Sequence, residues 1–494
     1  MAGHTRSRTG CWTCREAGYK CDEQKPSCGR CTRLKKECKG YGVKLKWKIA
    51  TSAAPTPRKR PAKRSQSVGM VSTNSPKSAT SSISVFSIMS APTPASVASS
   101  HDSFEWALTP TVSPSLHPGL SHTNQRLLHY WLKQLAPLIS AAPKDGGTSS
   151  FQVHLASMTY VRGALQSTVL SMAATHFGLV SGDTTLRFEA YKHQHEAIHL
   201  LQEAIEDPHQ ANADPTLATV MMMQIFARLF GDEEEAHAAN HLTGARAIIA
   251  RRKARSSNST SSSAQFLNSL YAYHDILSSV SRGSSPLDVH GAEFTAIEGS
   301  AKMSSIAEIL QVVAHISKFH EAAKAERLLS QTSDLQGDNF NLGVQLQQTL
   351  SNLTFDLDTI TLDISFTAEA YRHAAFIYLY RVWLDMGSPN PTTLKHVQEC
   401  LAYIEQVPVD SPLASSHVWP LFTAGCEALN ATQRYFVRER FRAMYESRKF
   451  PSLKRVLRDI EDVWAVKDAE KMGGLKVDCI QVILRRRGRE VDLA

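Results

Sequence analysis

The sequence predicts an all-α protein in three parts: a small module built on cysteines, a disordered linker and a large helical domain. Three observations predict it. Six of the nine cysteines fall between positions 11 and 38. Residues 51–121 are more than half Ser, Thr, Pro and Ala. From about Leu127 onward, apolar residues recur at three-and-four spacing while strand-type alternation is scarce. The boundaries that follow are 1–50, 51–121 and 122–494. At 494 residues and 42% apolar content the chain can build more than one unit.

The first part is set apart by charge as well as by cysteine. Residues 1–64 hold 18 Lys/Arg against 4 Asp/Glu, a balance of +14, so the net +9 of the whole chain leaves −5 for the rest. A basic head on a mildly acidic body is the layout of a nucleic-acid binder with a separate second domain. Residues 1–10 (MAGHTRSRTG) have no apolar run behind their charges, and no stretch of about 18 uncharged apolar residues occurs, so neither a secretory signal nor a membrane span is expected. The expected setting is intracellular, where a dense cysteine cluster reads as a metal site rather than a disulfide framework.

Cys11, Cys14, Cys21, Cys28, Cys31 and Cys38 write C-x2-C-x6-C twice, offset by 17 residues. Each C-x2-C pair can place two thiolates on one ion, and the third cysteine returns after a short helix. Three ligands per half leave each tetrahedral Zn(II) one short, unless two thiolates are shared between two ions. Six cysteines then fill eight coordination positions, and the site is closed and structural rather than catalytic. Two separate four-ligand sites would need ligands the segment lacks, since His4 is its only histidine. Pro26 turns the chain between the halves. With almost no apolar core in this segment, the metal must supply the folding energy, roughly 10–16 kcal/mol per structural zinc.

With its leading RTGCWTC, the KCDE after the first helix and Pro26, this pattern resembles the fungal zinc binuclear cluster (Zn(2)-C(6)) family of DNA-binding domains. The resemblance implies two Zn(II) ions with Cys11 and Cys28 as the bridging ligands. It also implies a short helix in the major groove of double-stranded DNA. In that family the stretch between the second and third cysteines is rich in Arg and Lys. Here Ala17 and Gly18 take two of those places and Arg15 and Lys20 remain, so the family's usual CGG half-site is not carried over. Arg30, Arg33, Lys35 and Lys36 are expected to contact phosphate, as is an extended tail bearing Lys44, Lys46 and Lys48. About six such contacts give a slope near −5 for log K against log salt.

The linker cannot bury enough surface to repay ordering. Arg58, Lys59, Arg60, Lys63 and Arg64, in PRKRPAKR, look like a nuclear import signal; a second phosphate-contacting arm is the other reading. No heptad pattern follows the cysteines, so a homodimer would have to come from the large domain.

That domain reads as helices in LLHYWLKQLAPLI, around 160–180, and in YKHQHEAIHLLQEAIE, LATVMMMQIFARLF, HLTGARAIIARR, AEAYRHAAFIYLYRVW and LKRVLRDIEDVW, with loose polar insertions at 256–264 and 330–345. LLHYWL, HLTGAR, AEAYRHAAFIYLYR, WPLFTAGCEA and LRDIEDVW, in that order, resemble the helical regulatory domain of fungal transcription factors, in the subgroup that includes the arginine-metabolism regulator II. The resemblance implies a nuclear regulator of RNA polymerase II transcription that engages the transcription machinery. An RNA or chromatin adaptor could use the same cluster. A hydrolase is the third reading: His195-Glu196-Ala197-Ile198-His199 fits H-E-x-x-H, but the extended motif is absent, with Gln202 and Ile205 in its places. Tyr191, Ile198, Leu201 and Ile205 instead predict an ordinary core stripe on that helix. Tyr378, Tyr380 and Trp383 are read as helix packing, and Cys400, Cys426 and Cys479 as small buried apolar groups. No catalytic residues are assigned.

Overall fold

The computed structural model describes residues 10–17, 19–24, 27–39, 119–142, 147–231, 238–255, 261–290, 294–330, 335–355, 362–470, 478–480, 482–483 and 491–493. The first three stretches form the cysteine module and the others a helical body. Lys44, Lys46 and Lys48, the cations at 58–64, Gly18 and Pro26 lie outside the described residues.

In the module, α1 (Trp12–Glu16) and α2 (Gly29–Arg33) are single turns. Among the module's described residues the cysteines form the buried cluster, distinct from the core of the body.

The body begins with α3 (His122–Tyr130), capped by Ser121, whose hydroxyl accepts from the Asn124 N–H. It continues through a π turn (Trp131–Leu135) into α4 (Ala136–Ile139). Pro137 has no N–H to return to the preceding turn, and the widened turn stands immediately before it. Then follow α5 (Ser150–Thr159), α6 (Ala164–Ser181), α7 (Thr185–Glu206), α8 (Asp214–Phe230), α9 (Ala238–Arg255) and α10 (Ser262–Arg282). The second half holds α11 (Ser304–Ser330), α12 (Gly337–Asn352), α13 (Leu362–Trp383), α14 (Pro391–Gln406), α15 (Val418–Glu427), α16 (Ala431–Arg448) and α17 (Pro451–Glu470). Among the described residues there is no strand, only an isolated bridge between Ile297 and Ser300.

Helices that are apolar all round lie inside. Along α6, eleven consecutive residues from Ala164 to Ala174 are buried, and along α8 ten from Thr216 to Ile225. α6 packs on α7 and α8, while α13 packs on α11, α14 and α15. Tyr378, Tyr380 and Trp383 are buried in α13, as packing predicts; the Tyr378 hydroxyl meets Ser317 Oγ at 3.2 Å.

Three expectations need correction. The stretch 330–345 is not a loose insertion: α12 begins at Gly337, and its short apolar stripe of Gly343, Leu346 and Leu350 is diluted by glutamines in the sequence. A Cβ on Gly343 would stand 2.3 Å from the Trp383 ring, so glycine is what lets the two helices meet. The polar stretch 256–264 ends early, because Ser261 caps α10 through the Ala264 N–H at 3.1 Å. On α7 the buried stripe is Leu186, Ala190, His193, Ala197 and Leu201; Ile198 and Ile205 flank it and Tyr191 is exposed.

Buried charges tie distant segments together. Glu427 at the end of α15 receives Lys467 of α17 at 2.7 Å, the Ser388 N–H at 2.8 Å, and Arg381 of α13. Burial alone would raise its carboxyl, but Arg381 and Lys467 outweigh that and hold it down at about 2. Cys479 points its thiol at the same carboxylate, 3.7 Å away. Glu298 lies across two N–H groups and a hydroxyl, from Ala141 (2.7 Å), Ala142 and Ser140 (2.5 Å). No cation pairs with it among the described residues, and burial pushes its carboxyl up to about 7.

Candidate metal centre and nucleic-acid interface

The 17-residue repeat of the sequence is also a repeat of hydrogen bonds. Cys11 caps α1, its sulfur accepting the Cys14 N–H at 3.5 Å; Cys28 caps α2, accepting the Cys31 N–H at 3.3 Å. The Cys11 N–H points at the Cys21 sulfur (3.3 Å), and the Cys28 N–H at the Cys38 sulfur (3.5 Å). Each turn closes alike, Tyr19 N–H to Cys14 carbonyl at 2.9 Å and Lys36 N–H to Cys31 carbonyl at 3.0 Å. The C-x2-C spacing sets this geometry, because it makes the first cysteine the cap and the second the N3 residue whose N–H is still without a helical acceptor.

The sulfurs converge in two overlapping sets of four. Cys11, Cys14, Cys21 and Cys28 form one, and Cys11, Cys28, Cys31 and Cys38 the other, with the sulfurs of each set within 4.8 Å of one another. Cys11 and Cys28 belong to both, at 3.6 Å, and Cys14 lies 3.7 Å from Cys28 and Cys31 3.8 Å from Cys11. A tetrahedron with Zn–S bonds of 2.3 Å has edges of about 3.8 Å. The donor set therefore fits two Zn(II) sharing an edge, as the resemblance implied for Cys11 and Cys28. Burial pushes the Cys28 thiol up to about 12 and raises the Cys11 thiol as well. A cation bound at the centre would offset that cost by favouring the thiolate form of Cys11 and Cys28.

Supports that the sequence reading missed surround the sulfurs. Asp22, the acid of KCDE, accepts the N–H groups of Gly29 and Arg30, both at 3.1 Å, and so ties the first half to the start of α2. A Cβ on Gly29 would lie 2.6 Å from the Asp22 carboxylate, which explains glycine there. Thr13 bridges the halves, donating to the Glu37 carbonyl (2.8 Å) and accepting from the Lys39 N–H (2.9 Å). Lys35 takes a left-handed backbone, φ 51°, where the chain leaves α2.

Of the cations expected to touch nucleic acid, Arg15, Lys20, Arg33, Lys35 and Lys36 are exposed around the cluster. Arg15 stacks over Trp12 at 4.3 Å. Arg30 differs: half-buried, it stacks over Tyr19 at 3.9 Å and reaches the Cys14 sulfur at 3.9 Å. Its charge is therefore directed partly at the metal-binding sulfurs. The H-E-x-x-H histidines are not gathered with a third ligand. His195 and His199 are exposed on α7, and His199 faces Glu203 at 3.5 Å. Among the described residues, the two cysteine sets are the only groups of three or more metal-donor side chains so assembled. No helix among those residues is long and apolar enough to cross a membrane.

Comparison with known proteins agrees with this geometry. The model of the fungal Zn(2)-Cys(6) binuclear cluster domain matches residues 9–48, and that of the fungal specific transcription factor domain matches residues 126–493. The chain is 51% identical over 47 residues to pestheic acid cluster transcriptional regulator 3 of Pestalotiopsis fici, covering 10% of this chain and 8% of that protein. It is 37% identical over 73 residues to arginine metabolism regulation protein II of Saccharomyces cerevisiae, 14% of this chain and 8% of that one. It is 58% identical over 38 residues to sterol uptake control protein 2 of Candida albicans, 8% and 5%. These matches span less than a tenth of each relative. No solved structure matches. The second family model covers most of the chain and the first covers its cysteine module, so the chain belongs to the fungal-specific transcription factors that carry a Zn(2)-Cys(6) binuclear cluster.

Proposed function

We propose that this chain is a zinc-dependent, sequence-specific DNA-binding regulator of RNA polymerase II transcription that works in the nucleus. The layout is that of the sequence reading: 1–50 reads duplex DNA, 51–121 links and carries the import signal at Arg58, Lys59, Arg60, Lys63 and Arg64, and 122–494 regulates. The observation that carries the proposal is the pair of four-sulfur sets sharing Cys11 and Cys28 beneath exposed cations. The closed metal site leaves no position for a substrate water, which favours a structural role in recognition over chemistry.

Arg15 and Lys20 are assigned to the groove. Arg33, Lys35 and Lys36 are assigned to phosphate, with Lys44, Lys46 and Lys48 along the backbone beyond. Arg30 contributes to both the fold and the interface. The helical body engages the transcription machinery and is where two chains would associate.

The test is selection of bound sequences from a random duplex pool by the zinc-loaded full-length chain, followed by affinity against salt. A defined half-site and a slope near −5 are expected. A slope near zero, or preferential competition by RNA, overturns the proposal.

A further inference from the structure

Two of the three cysteines of the body stand against each other where α15 meets the segment 478–480. Cys426, buried on α15, hydrogen-bonds the thiol of Cys479, which is half-buried. Cys426 is next to Glu427 in the chain, and the Cys479 sulfur is 3.7 Å from the Glu427 carboxylate. Lys467 and Arg381, the cations that hold that carboxylate, therefore stand beside the thiol pair as well. Cys400 differs. It is fully buried and directs its thiol at two carbonyls, Ala370 at 3.4 Å and Pro420 at 3.7 Å.

The surroundings divide the pair into two roles. An oxidant is attacked by a thiolate, so the reactive member of a pair is the one that ionises more readily and has the better access. The hydrogen bond from Cys426 lowers Cys479 below the ordinary thiol value; Lys467 and Arg381 act in the same direction, against burial and Glu427. Burial raises Cys426 well above that value. Cys479 is thus the sulfur that ionises first and can be reached, and Cys426 keeps its proton behind it. A cysteine that serves only as a small apolar group needs neither a second sulfur nor a cation beside it. These two have both.

We propose that Cys426 and Cys479 are a peroxide-sensitive thiol pair that closes to a disulfide, with Cys479 oxidised first. The Cys479 thiolate attacks one oxygen of hydrogen peroxide; the O–O bond breaks and hydroxide leaves, giving the Cys479 sulfenic acid. The Cys426 sulfur then attacks the Cys479 sulfur; the S–O bond breaks, and the Cys426 proton leaves with that hydroxyl as water. Counting the proton that Cys479 first released, two thiols and one peroxide become one disulfide and two waters. The bond ties α15 to the segment 478–480, and Glu427 loses the Cys479 donor. The site lies wholly in the helical body and does not depend on what the cysteine module binds.

Peptide mapping of the zinc-loaded full-length chain, before and after a few equivalents of hydrogen peroxide, tests it, with zinc counted on the same samples. The expected product is a pair of tryptic peptides joined through Cys426 and Cys479 and separated again by dithiothreitol, with both zincs still bound and Cys400 still free. In Cys426→Ser the second step has no thiol, so Cys479 should accumulate as the sulfenic acid and take up dimedone. In Cys479→Ser, Cys426 should stay a free thiol. Both thiols fully alkylated after peroxide, or a bridge from either one to Cys400, overturns the pair. Dimedone on Cys426 of the Cys479→Ser chain, at the rate seen for Cys479, overturns the order of attack. Circular dichroism checks that each variant keeps its helix content; where one does not fold, the wild-type map alone decides the pairing.

Discussion

The cysteine module and the helical body are held together by opposite means. Among its described residues the module has five buried cysteines with Cys38 packed beside them as its interior, and no other apolar residue in that cluster. The body has Trp131, Trp419, Phe151, Phe266 and several dozen other apolar side chains, and no gathered metal ligands among its described residues. A metal in the first stands where an apolar core stands in the second. The lesson is one of size: a segment of about thirty residues cannot bury enough surface to offset its chain entropy. A body of several hundred can.

Chelation draws the contrast most sharply. Removing zinc should cost the module roughly 10–16 kcal/mol per ion, unfold residues 11–38 and abolish DNA binding. The far-ultraviolet helix signal and the thermal transition of the body should persist. Loss of both together would mean that the body also depends on metal.

The reverse experiment breaks the body and spares the module. Glu427→Gln leaves the buried Arg381 and Lys467 without their carboxylate and should cost about 3–5 kcal/mol, read as a lower transition temperature with two zincs still bound. Acid acts in the same direction. Burial holds His274 and His417 down at about 3, so both are neutral in the fold while the unfolded chain takes up protons below its usual histidine value near 6.5. Their stabilisation is complete above that value and lost as pH falls toward 3. Glu427, held down at about 2, loses its contribution below the usual carboxylate range. The transition temperature of the zinc-free chain should fall steadily from pH 7 to pH 4; a rise would contradict this. Glu298 opposes the trend, because its raised carboxyl stabilises the fold at low pH and that contribution fades as pH rises through about 7.

Within the module two smaller changes separate the metal from its supports. Asp22→Ala removes the acceptor for two N–H groups and should cost about 1–2 kcal/mol, seen as roughly tenfold weaker zinc retention against a chelator. Lys35→Gly relieves the left-handed backbone and should stabilise by no more than about 1 kcal/mol, with lower DNA affinity from the lost cation.

The sequence showed the module more fully than the body, and for a physical reason. Ligand spacing is local: C-x2-C places a cap and its N3 residue, so the six sulfurs and their doubling could be read directly. Helix existence was legible from periodicity in α6, α8, α13 and α17. What could not be read is what depends on contacts between distant segments. The Glu298 carboxylate is 158 residues from the Ser140 hydroxyl it meets, and Lys467 is 40 from Glu427. Gly343 declares α12 only once Trp383 is beside it. Even in the module, the stacking of Arg30 on Tyr19 was not legible, because both halves must be folded before they touch.

Metal counting by native mass spectrometry, on the full-length chain and on two cysteine variants, tests the shared-ligand cluster most directly. Two zincs are predicted for the wild type. Cys14→Ala, which removes a ligand of one set, should retain one zinc far better than Cys28→Ala, which strips a ligand from both. A wild-type chain that holds a single ion, or two variants that lose metal equally, would contradict the arrangement.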